Sequence, residues 1–332
     1  MSEQTTTASP LPRWQTAALG AIALLPVLLV LRYPGYNDGQ RLLFVALVLI
    51  SEAYVVGWWR CRAEFSPRTS PTVADYFTGF IVSLGDTLGI GSFAPTTAIF
   101  KLRRAVADED IPGTLNVGLT PAAVLESFIF VTAVIVDPWL LTGMIASAAL
   151  GAWLGAGVVG RLPRRTIQLA MGVALLIATV IFTLVNLKWL PGGGLAMGLS
   201  GWKFVLAVGL NFVFGALMSI GIGLYAPCMI LLALLGMHPL AAFPIMTGSC
   251  GLLQPVASLR FFGNRRFAWG PALGLVIGCF PGILIAAYVI KTLDVTYLRW
   301  LVTVVVLYAA ISMLRSAARD AQVARARALP GA

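Results

Sequence analysis

Long apolar blocks alternate with short, arginine-rich connectors along the whole chain. A bilayer span needs about 20 apolar residues. Blocks near that length are Trp14–Leu31, Leu42–Trp59, Thr114–Val136, Trp139–Gly160, Ile167–Leu187, Ala241–Phe261, Trp269–Ile290 and Trp300–Leu314. Two further segments, Val73–Phe100 and Lys203–Leu235, are longer, apolar and interrupted by glycine. Pro191-Gly192-Gly193-Gly194 reads as a linker, and the chain after Arg315 as a polar, exposed tail. The pattern predicts an all-α polytopic membrane protein.

The pattern also repeats. Gly89-Ile90-Gly91-Ser92-Phe93-Ala94-Pro95 matches Gly221-Ile222-Gly223-Leu224-Tyr225-Ala226-Pro227 at an offset of 132, which also sets Pro112 on Pro244 and Phe130 on Phe262. At an offset of 131, Gly143, Ser147, Gly151 and Gly155 fall on Gly274, Gly278, Gly282 and Ala286. Small residues at every fourth position make a ridge on which another helix packs closely. A break and a ridge recurring in the same order point to duplication. The chain then divides into a tail (1–13), two additional membrane helices (14–62), a first repeat (73–190), a second repeat (203–315) and a basic tail (316–332).

Composition agrees with the pattern: 59% of the 332 residues are hydrophobic and 11% charged, against roughly 25% charged in a soluble domain. In a soluble protein a net charge of +10 would suggest nucleic acid; here basic cytoplasmic loops account for it, and no nucleic-acid partner is expected. If every segment crosses the membrane, the 23 basic residues divide 13 to 10 between the sides. If the two interrupted segments dip in and return, the division becomes 17 to six. The positive-inside rule favours the second arrangement, with both termini cytoplasmic. Each half then makes an odd number of crossings, so the repeats are inverted relative to each other, as in many secondary transporters.

The remaining chemistry excludes more than it assigns. Cys61, Cys228, Cys250 and Cys279 lack paired or metal-type spacing. Trp14–Leu31 has no cleavage site after it and reads as a retained helix. The single histidine, His238, lies in a connector and leaves no dyad for a hydrolase. No nucleotide-binding motif appears, and no metal, cofactor or enzymatic activity is implied.

Each interrupted segment reads helix, Gly-x-Gly-x-aromatic-Ala-Pro, helix. Glycine ends the first half-helix cheaply, and proline suits the first position of the second, where its missing N–H has no intrahelical partner. The amides expected to stay free are those of Thr96 and Thr97, and of Cys228 and Met229. A helix N-terminus binds anions without a buried cation, and no Lys or Arg lies between Val73 and Phe100 or between Phe204 and Leu235. Simple kinks would leave the same sequence trace. Three acids sit in apolar segments: Glu52, Asp86 and Glu126. A charge at mid-span costs roughly 2.5–3.5 kcal/mol. Asp86 and Glu126 are therefore candidate proton carriers, Asp86 alternatively capping the break and Glu126 alternatively bonding a neighbouring helix; Glu52, outside the repeats, reads as structural.

The paired breaks, the apolar helix after each, the ridges and the duplication resemble the TauE/SafE-type sulfite exporters, also called 4-toluene sulfonate uptake permeases. The resemblance spans residues 73–315 and leaves the first two helices unmatched. It implies a substrate site at Gly89, Gly91 and Pro95 with Gly221, Gly223 and Pro227, and at Thr114 and Asn116 with Thr247 and Ser249. Family breaks often carry a further glycine where Ser92 and Leu224 stand here, and an Ala-x-x-Thr run is only loosely kept between Ala242 and Thr247. The resulting expectation is a cell-membrane secondary transporter exporting a small sulfur-containing or organic anion, such as sulfite or a sulfonate, coupled to protons. A passive anion channel and a membrane structural or assembly protein stand as alternatives. The anion and the oligomeric state are not readable from sequence.

Overall fold

The computed structural model describes residues 38–61, 70–89, 91–107, 110–155, 194–218, 223–292 and 295–328, with scattered positions between 165 and 189. The tail at 1–13, the span expected at Trp14–Leu31, most of Ile167–Leu187, the linker at 191–193 and Gly221 lie outside the described residues.

The described chain is helical: α1 (Asp38–Cys61), α2 (Val73–Thr87), α3 (Phe93–Arg103), α4 (Ile111–Ala133), α5 (Pro138–Gly155), α6 (Gly201–Met218), α7 (Tyr225–Leu234), α8 (Pro239–Asn264), α9 (Trp269–Thr292) and α10 (Val295–Ala328). Among the described residues, five helices are long and apolar enough to cross a membrane: Gln40–Cys61, Ile111–Ala133, Gly201–Met218, Pro239–Asn264 and Trp269–Val289. The first interrupted segment is broken at Gly89 and Gly91, and in the second α6 ends at Met218 and α7 begins at Tyr225. One boundary differs clearly from the apolar pattern. The block ending at Leu314 continues as helix to Ala328, because the alanine- and arginine-rich tail is made of strong helix formers.

Two long helices form the centre. Almost all of α4 and most of α8 are buried, and they run antiparallel, with Thr120 opposite Ser258 and Ser127 opposite Thr247. Around them, α2 packs on α9 and α6 packs on α5. The glycine ridges make this possible. A Cβ on Gly151 would overlap the Phe212 carbonyl, and one on Gly282 would overlap the Phe80 carbonyl. Phe80 and Phe212 are themselves related by the 132-residue offset, so each ridge receives the equivalent helix from the other half.

Helix α1 is joined to this centre by a proline. Pro121 lies inside α4, where it removes the hydrogen bond that its N–H would make to the Val117 carbonyl. The Tyr54 hydroxyl of α1 donates to that carbonyl at 2.7 Å. Beside it, Trp58 stacks edge-on against Trp269 with ring centroids 4.4 Å apart.

In each broken segment, residues near the outer ends of its two helices meet. Thr72 and Asp75, at the start of α2, are bonded to each other at 2.8 Å. Arg103, in the last turn of α3, reaches Asp75 Oδ1 at 2.9 Å and Thr72 Oγ1 at 3.1 Å. In the second segment, Lys203 Nζ of α6 donates to the Leu235 carbonyl just after α7, at 3.1 Å. The local backbone repeats as well. Ala105 N bonds Phe100 O, and Met237 N bonds Leu232 O, both at 3.0 Å.

Candidate functional site

The first break lies between Thr87 and Phe93. Gly89 and Gly91 take φ of +93° and +83°, a region that side-chain-bearing residues enter at a cost, so the chain turns there on glycine. Ser92 then caps α3. Its amide donates to Asp86 Oδ1 and its hydroxyl to Asp86 Oδ2, each at 2.8 Å. Asp86 and Ser92 are both buried. The carboxylate at the end of one half-helix thus holds the start of the next.

This geometry corrects the expected set of free amides. With Ser92 at the cap, Pro95 is the third helical residue and not the first. It is tolerated there because the first four N–H groups of a helix lack intrahelical acceptors. The Thr96 amide already donates to Ser92 O, and the Cys228 amide to Leu224 O, both at 3.0 Å. Thr97 and Met229 lie deeper in their helices. Donors not committed to the helix are those at and just after the caps, two to four residues earlier than the proline pattern suggests.

At the second break, Leu224 caps α7 with backbone angles of −82° and −27°, against −82° and −26° at Ser92. The cap geometry is kept while the chemistry differs. Met218 stands where Asp86 stands, and Leu224 has no hydroxyl. The two breaks meet face to face: a Cβ on Gly91 would lie 3.9 Å from Tyr225 Cβ, and one on Gly223 the same distance from Phe93 Cβ. The contact is reciprocal under the offset that relates the repeats.

Glu126 of α4 lies between the breaks. Thr87 Oγ1, the last residue of α2, contacts Glu126 Oε1 at 2.6 Å, and Tyr225 Oη, the first of α7, donates to Oε2 at 2.6 Å. The same Thr87 hydroxyl also reaches Ser83 O at 2.8 Å. A hydroxyl has one proton to donate. When Glu126 is ionised, Thr87 donates to it and leaves Ser83; when Glu126 is protonated, it donates to Thr87, which then holds Ser83. Each protonation state therefore has its own bonding pattern at the end of α2.

The other expected residues fall in three places. Thr247 and Ser249 lie within α8 at the centre: Thr247 O accepts from Ser127 at 2.6 Å, and Ser249 Oγ accepts from Asn211 at 3.1 Å. Cys228 is buried near the second break; Pro227 is buried too, whereas Gly223 is half-buried. Thr114 and Asn116 are not at the breaks. They lie roughly 18 and 15 Å along α4 from Glu126, Thr114 Oγ1 taking the Ala268 amide at 2.9 Å and Asn116 Nδ2 donating to Pro112 O at 2.8 Å. Both stand too close to the helix start to reach its middle. Sequence reasoning misses Thr87, Ser92 and Tyr225 as polar partners, although Ser92 and Tyr225 lie inside the repeated motif. A hydroxyl beside a glycine-rich break that comes after an acid is the available signal.

These features define a helical, multi-pass membrane architecture with two facing helix breaks around a buried acid. No family model, curated protein or solved structure matches the chain.

Proposed function

We propose that this chain is a secondary transporter of a small sulfur-containing or organic anion, sulfite or a sulfonate, of the TauE/SafE kind, with anion binding linked to proton binding at the two breaks. The observation that carries this reading is the pair of bonds from Ser92 to Asp86. The break's donors already hold a carboxylate, the chain's own, which is what a helix start suited to anions does. An entering anion must displace that carboxylate, and a proton on Asp86 removes the charge with which it competes. Proton and anion then occupy the site together.

The architecture supports alternating access. If α2 and α3 formed one crossing, Thr72 and Arg103 would lie about 46 Å apart at 1.5 Å per residue. They are instead hydrogen-bonded, and Lys203 meets Leu235 in the same way, which supports segments that enter and leave on one side. Reciprocal packing of α2 on α9 and α6 on α5, with the reciprocal glycine contacts, supports two repeats related by a two-fold axis. In an inverted pair that axis lies in the membrane plane, and rocking one half on the other exposes a central site to each side in turn.

The test is uptake by proteoliposomes of radiolabelled sulfite, sulfate, an aliphatic sulfonate and an aromatic sulfonate under an imposed pH gradient. At least one anion is expected to accumulate above equilibrium and to leak back when a protonophore is added. Flux that only equilibrates makes the protein a passive channel; no flux across the panel overturns transport.

A further inference from the structure

Resting on the proton linkage just proposed, we infer that the seam between α4 and α8 is the route by which protons reach Glu126. The seam begins where Asp110 meets Arg266 at 3.7 Å, both partly exposed. It runs about 24 Å along α4 from Asp110 to Glu126. Its polar side chains are Asn116 and Thr120 on α4 with Ser258, Gln254 and Cys250 on α8, each exposed by no more than 1%. Two of these carry an acceptor oxygen with no donor among the described residues: Asn116 Oδ1 and Gln254 Oε1. Buried carbonyl oxygens are nearly always satisfied, and in a polar interior the usual donor is water.

Between these two oxygens stands a pair suited to passing a proton. Thr120 Oγ1 and Ser258 Oγ lie 3.0 Å apart, and either can be the donor. Their remaining contacts are to backbone carbonyls one turn back, Asn116 O at 2.7 Å and Gln254 O at 2.8 Å. A hydroxyl that receives a proton from one side and releases its own to the other ends with the number it began with, so charge moves and no bond is consumed. Asn116 and Gln254 do not relay; their oxygens orient the waters on either side of the pair. Beyond Gln254, α8 reaches the turn of α4 that carries Glu126: Gly251, next to the buried Cys250, lies against Ser127 and the Ala123 carbonyl. The last transfer puts the proton on the Glu126 carboxylate, forming the O–H that Thr87 accepts.

Titratable groups facing Glu126 come from each helix packed around it: Asp86 and Tyr225 on the broken segments, Cys250 on α8 and Cys279 on α9. No Lys or Arg lies on α4, on α8 before Arg260, between Val73 and Phe100, or between Phe204 and Leu235. On these stretches a proton arriving at Glu126 meets acids and hydroxyls but no fixed cation.

The experiment is infrared spectroscopy of the full-length protein in lipid, tracking hydrogen–deuterium exchange of the carboxyl band that Glu126→Gln abolishes. In the parent protein the band exchanges within the mixing time. The double variant Thr120→Val/Ser258→Ala removes the relay pair while nearly keeping its volume, and is expected to slow exchange at least tenfold. It slows pH-gradient-driven flux in step and leaves equilibrium sulfite binding within twofold. Should the double variant fail to fold, Gln254→Met gives the same readout by removing the water-orienting oxygen. Exchange at the parent rate in a folded seam variant overturns the route, as does a Glu126 band in the parent that does not exchange. Seam-dependent exchange in a parent that moves no anion would keep the route and overturn the transporter reading instead.

Discussion

Replacing Asp86 by asparagine removes a charge and little else, and the geometry at Ser92 determines the effect on anion binding. The side chain keeps its volume, and its carbonyl oxygen still accepts the Ser92 amide. Its amide nitrogen then faces the Ser92 hydroxyl, which turns to accept instead of donate. Two charge-assisted bonds become two neutral ones. A bond to a charged group contributes about 2 kcal/mol and a neutral one about 1 kcal/mol, so the internal cap weakens by about 2 kcal/mol. An anion that must displace this cap is expected to bind about 30-fold tighter to Asp86→Asn, since 1.4 kcal/mol is a factor of ten. Its affinity loses the proton linkage that Asp86 supplied. Equilibrium binding of labelled sulfite to purified protein across a pH series measures both effects, and a parallel flux assay is expected to show reduced accumulation under a pH gradient. Weaker binding, or binding with unchanged proton uptake, would refute the reasoning and return Asp86 to a purely structural cap.

Three other substitutions separate the parts of the site. Gly91→Ala forces a side chain to φ +83° and is expected to cost about 1–2 kcal/mol and most transport, while Gly223→Ala, which meets only ordinary contact at 3.9 Å, is expected to keep both; equal losses in thermal unfolding would sink the distinction. Single cysteines at the exposed positions Ser70 and Lys101 are expected to label from the same side with an impermeant reagent, and labelling from opposite sides would end the hairpin topology. Tyr225→Phe removes a 2.6 Å bond to Glu126 and is expected to lower unfolding stability by about 1–3 kcal/mol and to slow pH-gradient-driven flux; an unchanged flux would leave that hydroxyl with a packing role alone.

The breaks are legible in the sequence because their signal is local. Gly89, Gly91 and Pro95 each carry a backbone consequence within a few residues, and duplication repeats it at Gly223 and Pro227. The charge count over the loops bears on which ends of a segment lie together, and in the first segment Arg103 meets Asp75. Helix starts are less readable. Proline marks a helix N-terminus without saying which of the first positions it holds, and two residues of error move the free amides off Thr96 and Cys228. Thr114 and Asn116 are misplaced by the same kind of shift, because α4 begins at Ile111 and carries both near its end. What no local pattern can supply is the joining of Tyr225 to Glu126, 99 residues apart. That pairing exists only because α4 passes between two breaks that face each other.

The match between the two helix caps in backbone, against their difference in chemistry, bears on how such a site works. Duplication fixes the backbone: Ser92 and Leu224 have nearly the same dihedral angles, and the bonds that close α3 recur at the end of α7. A strictly symmetric pair would place an acid at each break, beside Glu126, each bearing a desolvation penalty. Only the first break carries one, with Met218 in the second position, where its sulfur takes the Cys250 thiol at 3.6 Å. The second break is therefore closed by soft, uncharged groups while the first holds a removable charge. On the proposed mechanism, protonation of Asp86 then acts on the first break only. Introducing Met218→Asp into the parent tests this directly. An acid at each break, beside Glu126, is expected to lower stability and uncouple flux from the pH gradient, whereas the combination Asp86→Met/Met218→Asp restores a single acid at the breaks and is expected to recover part of both. If the swapped protein is no better coupled than Met218→Asp alone, the two breaks are not interchangeable, and the site's asymmetry lies in Ser92 and its neighbours and not in the placement of one carboxylate.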